Sequence, residues 1–424
     1  MTSTDSRVQL RLLIGAYPPS AGGAQAHTHA LARSLQVRGL VEPQVTTLWR
    51  TTRTDFVAAS TQTSSAPLDD VLEGVPVRTI GLERTSRWDG SARTAYLPMR
   101  RVASRHFAAE LADPLGDTVV DVVHAVRLGR EHLALRGLHE AQRKGLPFVL
   151  TPNHHERWSR WWWPDPVWRS IYREADAVVA LTPSEAAMLV DLGVASERVV
   201  VTGIGPVLSQ QARRPAALPH DVGRFVLHLG QQYAYKRLDV TMAAFERIAA
   251  QLPDLHLVVA GPPHPESADV LAAARYTDRV HVLGAVDEDE KRWLLDHAGV
   301  MAFPSQQEAF GGVVVEAATT GCPVVVGDTP QVVDVVRSLQ WGEATDGTVD
   351  GFASALAAVL QSDRPSREQR EAVTARALTR YGWPSLAALY EGLYARLLGR
   401  EVTSPGDGPT SRSSAHPAAG ARTA

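Results

Sequence analysis

The stretch Phe303-Pro304-Ser305-Gln306-Gln307-Glu308-Ala309-Phe310-Gly311-Gly312-Val313-Val314-Val315-Glu316-Ala317 sets two carboxylates on either side of a Gly-Gly pair. An apolar run ending at Phe303 predicts a buried strand. The next residues predict a loop holding Glu308, and Gly311-Gly312 opens a predicted helix that contains Glu316. A helix start offers backbone N–H groups without intrahelical partners and the positive end of the dipole, and glycines there let a ligand approach the backbone. That chemistry suits a diphosphate. A carboxylate cannot hold a phosphate, but it accepts hydrogen bonds from sugar or ribose hydroxyls. Taken singly, Glu308 reads as well as a solvated loop residue and Glu316 as a surface helix residue. The whole string is what points to a ligand.

A second candidate is Leu229-Gly230-Gln231-Gln232-Tyr233-Ala234-Tyr235-Lys236-Arg237-Leu238-Asp239. Here a loop after a predicted strand carries Lys236, a point charge suited to a leaving diphosphate, or a solvated Lys-Arg pair at a helix start. In Asp121-Val122-Val123-His124-Ala125-Val126-Arg127, His124 lies near a predicted strand end. It reads equally as a crevice residue and as a satisfied core histidine, with Arg127 as the alternative crevice group. Asn153-His154-His155-Glu156 forms a polar patch on the expected acceptor side. A metal there would need a third ligand from elsewhere, because adjacent side chains diverge. Trp158, Trp161, Trp162, Trp163 and Trp168 follow at once, half of the 10 tryptophans in the chain. Indoles stack on sugars or apolar acceptors and favour membrane interfaces, and Arg157, Arg160 and Arg169 suit an anionic surface. A packed insertion covering the sheet edge is the other reading.

These residues must be positioned by alternating strands and helices. Apolar runs predict strands at Val8–Gly15, Val119–Ala125, Pro147–Leu150, Ala177–Leu181 and Arg198–Val201. A second series comprises Phe225–Leu229, His256–Ala260, Val280–Leu283, Val300–Phe303 and Pro323–Val326. Helical spacing at Ala24–Arg38 and Leu238–Gln251, with helical stretches between the other strands, implies α/β architecture. Two doubly wound parallel-sheet domains would face a central crevice, the expected ligand site. The predicted boundaries are 1–208 for an acceptor-side domain, 209–223 for a Pro/Ala/Gln-rich linker and 224–382 for a donor domain. An amphipathic helix would span 383–402. The stretch 403–424, dominated by Gly, Pro, Ser, Ala and Arg, reads as a disordered tail.

The 424 residues suffice for two or three domains, with 44% hydrophobic and 21% charged residues. A formal net charge of −3 gives no reason to expect a nucleic-acid partner. The single cysteine, Cys322, rules out an intramolecular disulfide and any cysteine-rich metal site. No apolar run approaches the roughly 18 residues that span a bilayer. The polar start Met1–Gln9 lacks the order of a signal peptide, so the expected location is cytoplasmic, at the inner face of the membrane if Trp158–Trp168 makes peripheral contact.

The string from Phe303 to Ala317 resembles the Glu-x(7)-Glu motif of retaining glycosyltransferase family 4, which has the GT-B architecture of two Rossmann-like domains. Pro18-Pro19-Ser20-Ala21-Gly22-Gly23-Ala24-Gln25-Ala26-His27 resembles the family's N-terminal Gly-Gly loop. Arg173–Glu185, Val199–Pro206, Gly321–Val326 and the helix from Trp383 are similar, in the same order, to later family segments, the second being its interdomain hinge. The resemblance implies a hexose-type sugar moved from a nucleotide-sugar, UDP- or GDP-linked, to an acceptor hydroxyl, with retention and without a metal or other cofactor. Glu308 would touch the sugar and Glu316 the ribose. Phe310, Gly311 and Gly312 would present backbone groups to the sugar, and Val313 and Val314 to the diphosphate. Gly22 and Gly23 would lie near the diphosphate or acceptor, Lys236 at the leaving group, and His124 at the sugar. His154, His155 and Trp158 are the acceptor-side candidates. This sequence departs from the pattern twice. Gln231 stands where an arginine is expected, leaving Arg237 as a substitute cation, and Val126 stands where a second histidine is expected. A nucleotide-sugar epimerase or a phosphorylase of this architecture, and a non-catalytic nucleotide-sugar-binding subunit, are the competing readings.

Overall fold

The computed structural model describes residues 7–20, 22–50, 61–62, 67–83, 87–94, 96, 98–127, 130–154 and 166–400. The amino-terminal half runs β1 (Val8–Ala16), α1 (Gly23–Arg38), β2 (Val41–Trp49), β3 (Leu68–Leu72), β4 (Val75–Thr79), α2 (Asp89–Thr94), α3 (Arg100–Glu110), β5 (Val122–Val126), α4 (His132–Lys144), β6 (Phe148–Thr151), α5 (Pro166–Glu174), β7 (Ala177–Ala180), α6 (Pro183–Asp191) and β8 (Val199–Val201). Its strands form one sheet in the order β3-β4-β2-β1-β5-β6-β7-β8. The pairs are parallel except β3–β4, an antiparallel hairpin turning at Glu73 and Gly74, both at positive φ. This sheet is therefore mixed, where the sequence predicts a parallel one.

Two layers cover it. Leu10, Leu12 and Ile14 pack against Leu31, Ala32 and Leu35 of α1 on one face. Leu13 packs with Phe107 of α3 and with Leu135 and Leu138 of α4 on the other. The alternation follows from strand side chains pointing to opposite faces. Helix α1 ends at Gly39, whose φ of 76° frees its N–H to close on Leu35 and Gln36 carbonyls. The strand predicted from Val119 starts later, because Val119 is exposed and Asp121 instead accepts the Gln9 N–H at 2.8 Å.

The carboxyl-terminal half runs β9 (Arg224–Leu229), α7 (Leu238–Ala249), β10 (Leu255–Ala260), α8 (Pro265–Ala272), β11 (Val280–Gly284), α9 (Glu288–His297), β12 (Val300–Phe303), α10 (Gly312–Thr320), β13 (Val324–Val326), α11 (Pro330–Leu339), β14 (Glu343–Ala344), α12 (Val349–Gln361), α13 (Arg367–Tyr381) and α14 (Trp383–Leu397). Its sheet, ordered β11-β10-β9-β12-β13-β14, is parallel throughout.

The chain passes from the first half to the second through Thr202–Leu208. Residues 209–223, predicted as a linker, are irregular but lie on the second half: Leu218 and Val222 are in its core, and Arg213 pairs with Glu290 at 3.0 Å and with Asp287. Helix α14 returns to the first half. Its Ala387, Tyr390, Leu393 and Tyr394 share a core with β1 and α1, and Glu391 accepts Arg38 Nε at 2.9 Å on both oxygens. The two halves also touch where the Ser184 N–H at the start of α6 donates to Asp334 of α11 at 2.7 Å. No helix among the described residues is long and apolar enough to cross a membrane. The predicted tail lies outside the described residues.

Candidate active site

Helix α10 starts at the carboxyl edge of its sheet, after the irregular stretch 304–311 that follows β12. Gly311 takes a φ of 87°, which a side chain disfavours, and a Cβ there would sit 3.3 Å from Val332. The Gly312 position faces only Ile204, at 3.8 Å, so the first amides of the helix are approachable. The Phe310 side chain is buried edge-on to Tyr381 at 5.3 Å, and that of Val314 is buried as well. Only their backbone groups are available to a ligand, and Val313 is half-buried.

Glu316 is not a surface residue: its relative exposure is 6%. The Val207 N–H donates to its Oε1 at 3.2 Å, and Lys291 Nζ lies 3.1 Å from its Oε2. Lys291 also donates to the Val207 carbonyl at 2.6 Å and pairs with Glu288 at 2.8 Å. Burial pushes the Glu316 carboxyl above its ordinary range, against the opposing pull of Lys291. The pair thus fixes a carboxylate against the backbone that joins the two halves. Sequence reasoning missed Lys291, because within Asp287-Glu288-Asp289-Glu290-Lys291 it reads as one more solvated charge on a helix.

Glu308 forms an ion pair with Lys236, and the Lys236 ammonium lies over the Tyr235 and Phe303 rings at 5.4 and 5.3 Å. The structure thus brings these two predicted residues together. Their loops are tied by the Gln306 N–H donating to the Tyr235 carbonyl at 2.8 Å. The Gln231 carbonyl accepts the Tyr233 N–H at 2.9 Å within the same loop. Arg237 caps α7 at a φ of 57°, and its Nε donates to both Asp239 oxygens at 2.9 and 3.0 Å. Its charge is already met there, which counts against Arg237 as the substitute cation. The loop's floor is the close approach of Gly230 and Gly261. Among the described residues no group of three or more His, Cys, Asp or Glu side chains is arranged to hold a metal.

On the opposite side, Gly22 caps α1 and nothing lies within 4 Å of a Cβ built at Gly23. His27, on the same helix, sits 5.4 Å from the Trp383 ring, and Trp383 Nε1 donates to the Pro206 carbonyl at 2.8 Å. His124 resolves to the core reading. It is fully buried, with Nδ1 2.8 Å from the Tyr394 hydroxyl and Nε2 2.8 Å from the Thr151 hydroxyl. Both nitrogens are thus spent on joining α14 to the sheet, and no lone pair or N–H is left for a sugar.

Arg127 instead heads a buried polar group at the strand ends. It donates to the Tyr172 hydroxyl at 2.8 Å, has His154 Nδ1 at 3.4 Å and lies over Trp168 at 4.8 Å. Glu185 accepts the His154 and Leu181 N–H groups, each at 2.7 Å, and burial pushes its carboxyl up to about 7. It therefore fixes the strand-end loop that leads to the tryptophan segment. Trp168 itself is 1% exposed and packs on Tyr172, so for this residue the packed-insertion reading holds. His155, Trp158 and the other three tryptophans lie outside the described residues.

Burial pulls His124 down to about 3 and His27 to about 4. Unfolded, each titrates near ~6.5. A folded value below the unfolded one means that the stabilisation is complete above ~6.5 and is lost as the pH falls toward 4 and then 3, by about 1.4 kcal/mol per pH unit per histidine. Glu185 acts in the opposite sense, losing stability as the pH rises from the ordinary carboxyl range to about 7. The histidine effect is therefore read as a difference. Urea unfolding of the parent should weaken more steeply between pH 6.5 and 4.5 than that of His124→Gln. Equal slopes would refute the assignment.

Two Rossmann-like sheets meeting at one cleft, with a glycine-opened helix start beside a lysine–glutamate pair, define the GT-B architecture. A family model described as Glycosyltransferase Family 4 matches residues 21–205, and one described as Glycosyl transferases group 1 matches residues 210–378. The chain belongs to glycosyltransferase family 4. It is 29% identical over 385 residues to D-inositol 3-phosphate glycosyltransferase of Nocardioides sp., an alignment covering 81% of this chain and 78% of the relative. Among solved structures, sucrose-phosphate synthase of Thermosynechococcus elongatus superposes with a TM-score of 0.68 at 18% identity, covering 93% of this chain and all of that one (100%). An Anabaena protein (HepE) in complex with UDP-glucose superposes with a TM-score of 0.62 at 15% identity, covering 93% of this chain and 100% of that one.

Proposed function

We propose that the chain moves a hexose-type sugar from a nucleoside diphosphate sugar, UDP- or GDP-linked, to an acceptor hydroxyl, retaining the anomeric configuration. The Lys236–Glu308 pair beside the start of α10 carries this reading. A diphosphate at the α10 amides would place its leaving oxygen within reach of Lys236, and Glu308 would accept hydrogen bonds from hydroxyls of the sugar. Glu316, held by Lys291 and Val207, would receive the ribose hydroxyls. The sugar–phosphate bond breaks through an oxocarbenium-like state, and the acceptor oxygen attacks from the same face. Its proton passes to the departing phosphate. Lys236 and the helix amides supply the positive charge that this step needs, so the scheme requires no metal. Closure of the cleft would keep water from the donor. Trp158–Trp163 would meet an apolar acceptor or the membrane face from which one is presented.

Gln231, a neutral side chain at a position where a cation is expected, favours a second reading, a nucleotide-sugar-binding subunit without turnover. Nucleotide release from UDP- and GDP-sugars, measured with and without an acceptor panel, separates the readings. Acceptor-dependent release supports the transferase, and donor binding without turnover across the panel supports the subunit. Conversion of the donor sugar without any acceptor would identify an epimerase.

Glu316→Gln tests the ribose contact. The amide oxygen still accepts the Val207 N–H while the charge is removed. We expect the thermal stabilisation by UDP or GDP to shrink, with nucleotide affinity down about tenfold or more, the scale of a hydrogen bond to a charged group. Unchanged nucleotide affinity would remove Glu316 from the site.

A further inference from the structure

A recess remote from the cleft is built from the outer strands of the amino-terminal sheet. Arg11 of β1 stands opposite Gln44 of β2, Thr46 of β2 opposite Arg78 of β4, and Arg78 opposite Asp69 of β3. These residues share one face of the sheet, because opposed and alternate residues point the same way. The face is left open where the loop 113–118 enters β5, at the end of the strands away from the cleft. The cavity measures about 360 Å³ and is lined by Arg11, Gln44, Asp69, Arg78 and Thr118 among others.

Two cationic side chains converge there, Arg11 bonded to neutral groups and Arg78 with a carboxylate only at the outer limit of an ion pair. Arg11 is 2% exposed. Its terminal nitrogens donate to neutral groups only: Thr46 Oγ1 at 3.3 Å, the Leu115 carbonyl at 3.0 Å and the Thr118 hydroxyl. Its Nε is buried without an acceptor, and so is Nε of Arg78. Asp69 lies 4.0 Å from Arg78 Nε and is itself mostly exposed, and Asp113, whose charge also acts on Arg11, pairs with Lys144 at 3.7 Å. Asp70, also on the rim, is taken by Arg50. Burial, followed by repulsion from Arg78, pulls the Arg11 guanidinium down to about 10. Buried donors without acceptors are rare in folded proteins because each is costly, and a guanidinium offers its N–H groups in a fork that matches phosphate oxygens.

We propose that this recess is a binding site for a small phosphate ester. The phosphate sits between Arg11 and Arg78, and the Gln44, Asp69 and Thr118 side chains meet the hydroxyls of the organic part. Gly116 supports the geometry. Its φ of 62° and the 3.0 Å from its Cβ position to Arg78 Nη1 leave room for the guanidinium only because no side chain is present.

The experiment is calorimetric titration of the full chain with inorganic phosphate, glucose 6-phosphate and glucose. Because phosphate has a second reason to bind at the cleft, Arg78→Gln and Lys236→Ala are titrated alongside the parent. Arg78 lies on β4 beside the exposed outer strand β3 and is not a core residue, so its replacement leaves the core intact, whereas Arg11→Met removes the bonds that hold the loop 113–118. The expected result is that both phosphates bind the parent and Lys236→Ala alike and that glucose does not. Binding to Arg78→Gln should be weaker by about tenfold or more, and added salt should weaken the parent's binding. Undiminished phosphate binding by Arg78→Gln, or no phosphate binding by the parent, overturns the proposal.

Discussion

Lys236→Ala should lower kcat by about 10²- to 10³-fold and leave the donor KM within a few-fold of the parent value. Removing one preorganised donor from a site of developing negative charge has that scale, roughly 3–4 kcal/mol of barrier. The asymmetry has a physical source. In the proposed reaction the α10 amides would share the diphosphate's ground-state charge, and additional negative charge would build on the leaving oxygen as the sugar departs. Lys236 is placed for that change: its ammonium pairs with Glu308 and lies against the Tyr235 and Phe303 rings, where water is scarce and a charge acts strongly. Steady-state rates with saturating acceptor are the measurement. A parent-like kcat, or a loss confined to KM, would show that Lys236 does not stabilise the leaving group.

Gly261→Ala should unfold or severely loosen the donor half. Gly261 has a φ of 135°, and its Cβ position lies only 1.9 Å from the Gly230 carbonyl oxygen. The obstacle is backbone, not the end of a flexible side chain. Neither chain can withdraw freely, since the Gly261 N–H donates to Gly284 O at 2.7 Å and the Gly230 N–H to Ala260 O at 2.9 Å. Strain at a left-handed position combined with overpacking costs about 3 kcal/mol or more, which should lower the melting temperature by about 10 °C for a domain of this size. The loop that carries Lys236 leaves the sheet at Gly230, so any surviving folded fraction should also turn over slowly. A melting temperature within a degree of the parent would contradict the close packing described.

The strands that were legible in the sequence are those buried on both faces, such as Ala177–Ala180 and Val300–Phe303, because burial on both sides demands an unbroken apolar run. The outer strands were not. Strand β2 contains Pro43 and Gln44, which read as a breaker and a polar interruption. Pro43 is tolerated because β4 pairs with β2 only from Val45 onward, so that stretch of β2 is an edge. Strand β3 is exposed along most of its length and offers no apolar pattern. The same division holds in the site. The Gly-Gly helix start and the two glutamates form a local string, and local strings can be read. The state of His124 was decided by Tyr394, at the far end of the chain, and that of Glu316 by Lys291 and Val207. Those contacts exist only after folding, and neither partner has a composition that marks it.

The second passage between the halves, at Tyr381–Trp383, runs alongside the first. A Cβ at Gly203 would meet Tyr381 at 2.5 Å, one at Gly205 would meet Trp383 at 2.5 Å, and Trp383 donates to Pro206. Two adjacent tethers act as a pivot and leave one easy rotation, about the line that joins them. Displacement then grows with radius from that line. Glu316, bonded to Val207, sits almost on that line. On the proposed donor placement, opening of the cleft would move the nucleoside end little, because its ribose contact lies beside this pivot. For the transfer proposed above, such a pivot would free the glycosylated product by the wide end first and the nucleotide last.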